Sequence, residues 1–191
     1  MIGQLRGRLI EKNPTEVIID CAGVGYEVKI SLNTFAQLGS EEAVVLFTRL
    51  IVREDAHLLY GFATKEEREM FTHLISVSGI GPNTAMIMLS SLVPDEIAHA
   101  IQSEDVRTIQ SIKGIGAKTA QRVIIDLKDK MVKMVFTTEN MFGQNNTNRF
   151  DALTALLSLG FDKKAAEKAI DKIATGDESV EQLIKGALKI L

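Results

Sequence analysis

Short apolar runs separated by glycines fill the first third of the chain. Val17-Ile18-Ile19, Tyr26 to Ile30, Ala43 to Phe47, Leu50 to Val52 and His57 to Phe62 are rich in β-branched and apolar side chains, and Gly3, Gly7, Gly23, Gly25 and Gly39 punctuate them. Runs of this length predict strands, and several in so short a stretch predict a small barrel of the OB type. A short helix is predicted at Leu32 to Leu38, with Ser31 or Asn33 as its cap.

From Thr64 the apolar spacing changes from two to three and four. Thr64-Lys65-Glu66-Glu67 has capping-box spacing, with Thr64 as N-cap and Glu67 reaching back. Phe71, Leu74 and Ile75, then Ile87, Leu89 and Leu92, fall at helical intervals, and Pro94 suits the first turn of a further helix. Helical texture continues to about Val135. Residues 137–148, TTENMFGQNNTN, hold one charge and four asparagines with no apolar period, and are read as a linker. Phe150 to Leu191 then reads as three short helices jointed at Gly160 and at Gly176-Asp177. In the last, Val180, Leu183, Ile184, Ala187, Leu188 and Leu191 form one stripe. That unit is small for independent stability.

An internal repeat carries the chemistry. Ser76-Val77-Ser78-Gly79-Ile80-Gly81-Pro82-Asn83-Thr84-Ala85 aligns with Ser111-Ile112-Lys113-Gly114-Ile115-Gly116-Ala117-Lys118-Thr119-Ala120, and Ser, Gly, Ile, Gly, Thr and Ala recur in register. Gly-Ile-Gly between two helices is the helix-hairpin-helix signature. Glycine permits positive φ and close backbone approach. The isoleucine can tuck between the helices, leaving loop amides and the next helix's N-terminus pointing outward. Such a cradle suits a phosphate oxygen, and phosphate contacts position a protein without reading bases. One copy alone is often only a tight turn; two in register point to a nucleic-acid backbone. A Walker A loop is excluded because Ala117 separates Gly116 from Lys118, and a dinucleotide fingerprint lacks its third glycine and its strand.

Charge sharpens this. The chain has 191 residues and net charge −3, which taken whole argues against a nucleic-acid partner. Yet Arg107 to Lys133 holds seven basic residues against Asp126 and Asp129, a local +5. Lys118 and Arg122 are four apart and share a helix face beside the second loop, whereas Lys128, Lys130 and Lys133 fit an ordinary solvated helix. By region the balance is −2 over 1–62, zero over 63–135 and −1 over 136–191. One cysteine, Cys21, excludes an internal disulfide or a multi-cysteine metal site. His57, His73 and His99 lack metal-ligand spacing, so no metal and no cofactor are expected. The start has no signal-peptide stretch and no run spans a bilayer, so a cytoplasmic location is expected.

These residues resemble the RuvA family of Holliday-junction-binding subunits. The opening MIGQLRGRL, the run Val52 to Phe62, both Gly-Ile-Gly hairpins and the C-terminal helical unit match in order. The resemblance implies a multi-domain α+β chain: an OB-fold β-barrel (1–63), a tandem helix-hairpin-helix domain (64–136), the linker (137–148) and a UBA-like three-helix domain (149–191). It implies a homotetramer or octamer on a four-way DNA junction, a RuvB-type AAA+ ATPase motor as partner and room for a junction-resolving endonuclease. The DNA contacts expected are Gly79, Ile80, Gly81, Asn83, Thr84, Gly114, Ile115, Gly116, Lys118, Thr119, Arg122 and Arg53, on the minor-groove side of each arm. Glu54 and Asp55 become an acidic pin at the crossover, although alone they read as a charged turn. Leu156, Leu159, Leu183 and Leu188 are the expected motor contacts. The family commonly has a lysine where Asn83 stands and a second basic residue at Ala117, so the second hairpin carries more weight.

Three other functions fit the residues less well. A glycosylase using Lys118 as nucleophile would need a carboxylate soon after, and none lies between Lys130 and Glu139. A single-strand binder would need a basic, aromatic barrel groove, but residues 1–62 hold six basic residues against eight acids. A protein adaptor explains neither the repeat nor the +5 segment. No catalytic residue is expected.

Overall fold

A computed structural model describes residues 1–39, 42–139, 144–174 and 178–191. Five strands close a barrel: β1 (Gln4–Lys12), β2 (Glu16–Cys21), β3 (Val24–Ile30), β4 (Ala43–Val52) and β5 (His57–Phe62), in the order β1-β2-β3-β5-β4 with β1 also paired to β4. All pairings are antiparallel except β3 with β5. Helix α1 (Leu32–Gln37) connects β3 to β4, and Ser31 Oγ caps it by accepting from Thr34 N. The first strand appears in no apolar run, because Arg6, Gly7 and Arg8 interrupt its pattern. The runs 43–47 and 50–52 are one strand, since Thr48 is buried and bonds to the Ile2 carbonyl at 2.9 Å. Leu5, Val17, Ile19, Val28, Ile30 and Leu46 fill the interior. There a side chain at Gly61 would strike Val28 Cγ1 at 2.5 Å, so the barrel requires glycine at that point.

The helical region holds α2 (Lys65–Ile75), α3 (Pro82–Ser91), α4 (Pro94–Gln102), α5 (Val106–Gln110) and α6 (Ala117–Glu139). Thr64 caps α2, accepting from Glu67 N at 3.1 Å. The other half of the expected capping box does not form. Glu67 instead accepts from the hydroxyls of Ser31, the α1 cap, and Thr34 of α1. On α4, Glu96 accepts from Val93 N at 3.0 Å.

Barrel and hairpin helices pack against each other within one compact unit, Met1–Val132. Phe71 of α2 lies 5.0 Å from both Tyr60 and Phe62 of β5. Arg68 donates to the Gly3 carbonyl at 2.9 Å. Asn33 of α1 donates to the carbonyls of Leu89 and Leu92 at 2.5 and 3.1 Å. Fully buried aromatic area and several interdomain hydrogen bonds leave no exposed linker at which the two could hinge.

The second unit, Lys133–Leu191, contains α7 (Gln144–Ser158), α8 (Lys163–Ile173) and α9 (Val180–Ala187). The linker expected over 137–148 is helical to Glu139 and again from Gln144. Residues 140–143, like the joint at Gly176-Asp177, lie outside the described residues. The joint at Gly160 has φ +95, left-handed backbone that favours glycine. Ala152, Leu156, Ala166, Ala169, Ile170, Leu183 and Ala187 form this unit's core.

Candidate nucleic-acid interface

The two hairpin loops have the same local geometry. Gly79 has φ +97 and Gly114 φ +92, a region costly for any residue with a Cβ. Ile80 N donates to the Val77 carbonyl at 3.0 Å, and Ile115 N to the Ile112 carbonyl at 3.1 Å. Val77 and Ile112, Ile80 and Ile115, Ala85 and Ala120 are buried in pairs. The isoleucines are therefore interior anchors, and because their amides are already bonded within the loop, the contacts expected of Ile80 and Ile115 fall to the flanking glycine amides.

The second glycine of each loop is not demanded by the fold. Gly81 is extended, with φ −87 and ψ 169, and a Cβ built on Gly81 or Gly116 would meet nothing within 4 Å. Gly81 is the N-cap of α3 and supplies no side-chain hydrogen bond; Gly116, its counterpart before α6, has no side chain to supply one. First-turn amides of a helix have no intrahelical acceptor. Both helices thus present open, unobstructed N-termini of positive dipole. Asn83 and Lys118 are exposed at equivalent positions, and Thr84 and Thr119 are half-buried just behind.

The loops also meet. A Cβ on Gly79 would lie 3.9 Å from Thr119 Cγ2, while nothing approaches the equivalent point on Gly114. Lys130 Nζ lies 3.3 Å from Ser76 Oγ at the entry to the first loop. Sequence spacing revealed neither approach, because both join segments far apart in the chain. Lys118 is exposed and forms no ion pair among the described residues. Arg122 shares its face but pairs with Asp126 at 3.5 Å. Such an exposed pair is worth about 0.3–0.5 kcal/mol, small enough for a phosphate to displace. Lys128 pairs with Glu104, whose carboxyl is held below its ordinary value by that lysine.

Arg53, Glu54 and Asp55 are exposed at the tip of the β4–β5 hairpin, closed by Arg53 N donating to the Ala56 carbonyl at 2.8 Å. The hairpin is rooted by Tyr60, whose ring is buried against α2. Burial pushes the Tyr60 hydroxyl above its ordinary value, and Arg53 pulls the other way. The base of the β4–β5 hairpin is thus packed on α2, while its tip stands free of packing.

Of the four leucines expected to meet a partner, Leu156 and Leu183 are fully buried in their own core and have no surface to offer. Leu159 and Leu188 are exposed, at 61% and 43%. Leu188, the C-cap of α9, keeps helical backbone and lies at the exposed edge of the stripe. Among the described residues no cluster of acids, histidines or cysteine could hold a metal, and no helix is long and apolar enough to cross a membrane.

Known proteins match this arrangement piece by piece. Residues 1–61 match the family model for the RuvA N terminal domain, 71–129 the SAM-like helix-hairpin-helix tandem, and 147–191 the RuvA C-terminal domain. The chain is 56% identical over 193 residues to the Holliday junction branch migration complex subunit RuvA of Christiangramia forsetii, and 56% identical over 193 residues to that of Flavobacterium psychrophilum, covering the whole of each chain. It is 44% identical over 195 residues to the subunit of Neisseria gonorrhoeae, across 99% of this chain and all of that one. With full-length identity of this size and all three regions matched in order, the chain belongs to the RuvA family.

Proposed function

We propose that the chain binds four-way DNA junctions independently of base sequence, holds them open and recruits a RuvB-type AAA+ motor for branch migration in recombination and repair. It acts in the cytoplasm as a homotetramer, or an octamer, and leaves the junction accessible to a resolving endonuclease. The observation that carries the reading is the pair of matched loops with open helix N-termini. Backbone amides of Gly79, Gly81, Gly114 and Gly116 take phosphate oxygens of a duplex arm. Lys118 and Arg122 supply charge at the second loop, and Asn83, Thr84 and Thr119 supply polar contacts. None of these groups reads a base edge, which is the property a junction that migrates through any sequence requires.

Glu54 and Asp55 act by repulsion. In a tetramer they place eight carboxylates where four arms meet. Two unit charges 8 Å apart interact by about 0.5 kcal/mol in bulk water and about 2 kcal/mol at an effective dielectric near 20. Summed over several phosphates, this keeps strands from closing over the centre, while Arg53 gives each pin a local attraction. Leu159 and Leu188 offer apolar area to the motor, which supplies ATP hydrolysis. Comparing affinity for a four-way junction with that for duplex of equal length tests the reading, and the junction is bound more tightly.

A further inference from the structure

We propose that Lys130, from helix α6, is the cation of the first hairpin and neutralises the phosphate held by the Gly79–Gly81 loop. The inference rests on the DNA-binding reading above and adds to it a residue from a distant part of the chain.

The first hairpin has no cation of its own. No lysine or arginine occurs between Arg68 and Arg107, and that interval includes the whole loop and all of α3. In the register of the repeat Asn83 stands where the second copy has Lys118, and Ser78 where it has Lys113. The open α3 N-terminus contributes only about half a charge. The two loops therefore share a backbone geometry but not a charge.

Lys130 approaches this loop from outside. Its Nζ lies 3.3 Å from Ser76 Oγ, and that hydroxyl in turn donates to the His73 carbonyl at 2.6 Å. Thr119 and Lys130 stand about 16 Å apart along α6, so Thr119 meets the loop at Gly79 while Lys130 meets its entry at Ser76, the C-cap of α2. Lys130 is exposed, and among the described residues no carboxylate pairs with it, unlike Lys128 with Glu104 and Arg122 with Asp126. The neighbouring imidazole does not substitute for it. His73 is half-buried, and burial lowers its pKa from the usual value, opposed by Glu69 and reinforced by Lys130. Burial thus favours its neutral form. A hydroxyl is a weak partner for an ammonium, so a phosphate oxygen competes well for Lys130.

The alternative is that Lys130 only braces Ser76. Salt titration of four-way-junction binding by the full chain separates the two. Lys130→Met should weaken binding about tenfold near 0.15 M salt and lower the slope of log K against log salt by about 0.9 for each phosphate left without its cation. Ser76→Ala, which removes the hydroxyl and keeps the charge, should bind like wild type. Asn83→Lys placed on Lys130→Met should restore affinity and slope, because it returns a cation to the loop by another route. Unchanged affinity and slope in Lys130→Met overturn the proposal. So does full loss in Ser76→Ala, or failure of Asn83→Lys to restore binding in a protein that melts like wild type. If wild type itself fails to prefer junction over duplex, the DNA reading falls and takes Lys130 with it. If wild type prefers the junction and Lys130→Met matches it, only the Lys130 assignment falls.

Discussion

Thr119, in the first turn of α6, lies against Gly79 of the other hairpin loop, close enough that a Cβ on the glycine would touch its Cγ2 at 3.9 Å. The two hairpin loops are therefore neighbours, as the proposed grip on one DNA backbone requires. The glycines of each loop can be told apart by experiment. Gly79→Ala forces a side chain into φ +97 and should cost about 1–2 kcal/mol of stability. Gly81→Ala with Gly116→Ala meets neither strain nor a neighbour, so stability should change by less than about 0.5 kcal/mol. Junction affinity should nevertheless fall, because the methyls stand where phosphate approaches the amides. Thermal melting and binding measured on the same preparations check both halves.

Glu67 makes a pH prediction. Its carboxylate is buried between barrel and helices, and burial raises its pKa above the ordinary value, partly offset by bonds from Ser31, Thr34 and the Ala63 amide. A carboxyl with a raised folded-state pKa binds protons more tightly in the folded chain. Its contribution to stability is full below the unfolded pKa and is lost as pH rises through the folded one. Relative to Glu67→Gln, wild type should gain stability as pH is lowered from 7 toward the unfolded carboxyl value. Glu67→Ala should lose about 1–3 kcal/mol at pH 7, since two buried hydroxyls lose their acceptor. Denaturant unfolding across pH measures this, and parallel curves for wild type and Glu67→Gln would contradict it.

The acidic tip is predicted to act on strand exchange and not on grip. Glu54→Gln with Asp55→Gln should leave junction affinity unchanged or tighter while altering motor-driven branch migration. Both side chains are exposed, so the fold is not at risk. Strongly weakened binding in a correctly folded tetramer would count against the pin.

In the C-terminal unit exposure separates two kinds of leucine. Leu156→Ala should cost about 2–5 kcal/mol, because its side chain is fully buried. Leu159→Ala with Leu188→Ala should leave stability within about 0.5 kcal/mol of wild type. The same pair should reduce motor stimulation without changing junction binding.

What the sequence revealed follows how local each signal is. The repeat disclosed both loops and the burial of Ile80 and Ile115, because a hairpin's geometry is settled by its own residues. Thr64 was legible as a cap for the same reason, whereas the cap of α1 lay between Ser31 and Asn33 until the structure placed Ser31 there. Glu67 was not: two hydroxyls at the start of α1, which only tertiary packing brings near, displace the backbone amide it was expected to reach. The same holds for Leu156 and Leu183, since an apolar stripe shows that a face is buried but not which leucine lies at its edge. Strand β1 was obscured by Arg6 and Arg8, which alternate outward beside a buried Leu5. Lys130 read as a solvated lysine because its neighbour, Ser76, lies in the other half of the repeat.

The central claim is that the matched loops grip DNA backbone in an arrangement that fits a junction. The most direct test is equilibrium binding of the full chain to a four-way junction and to duplex of equal length, across salt, with wild type and Lys118→Ala. Wild type should prefer the junction whatever its base sequence, with affinity falling linearly in log salt, and Lys118→Ala should weaken binding and flatten the slope. Equal weak binding to junction and duplex, or an unchanged slope in Lys118→Ala, would contradict the account.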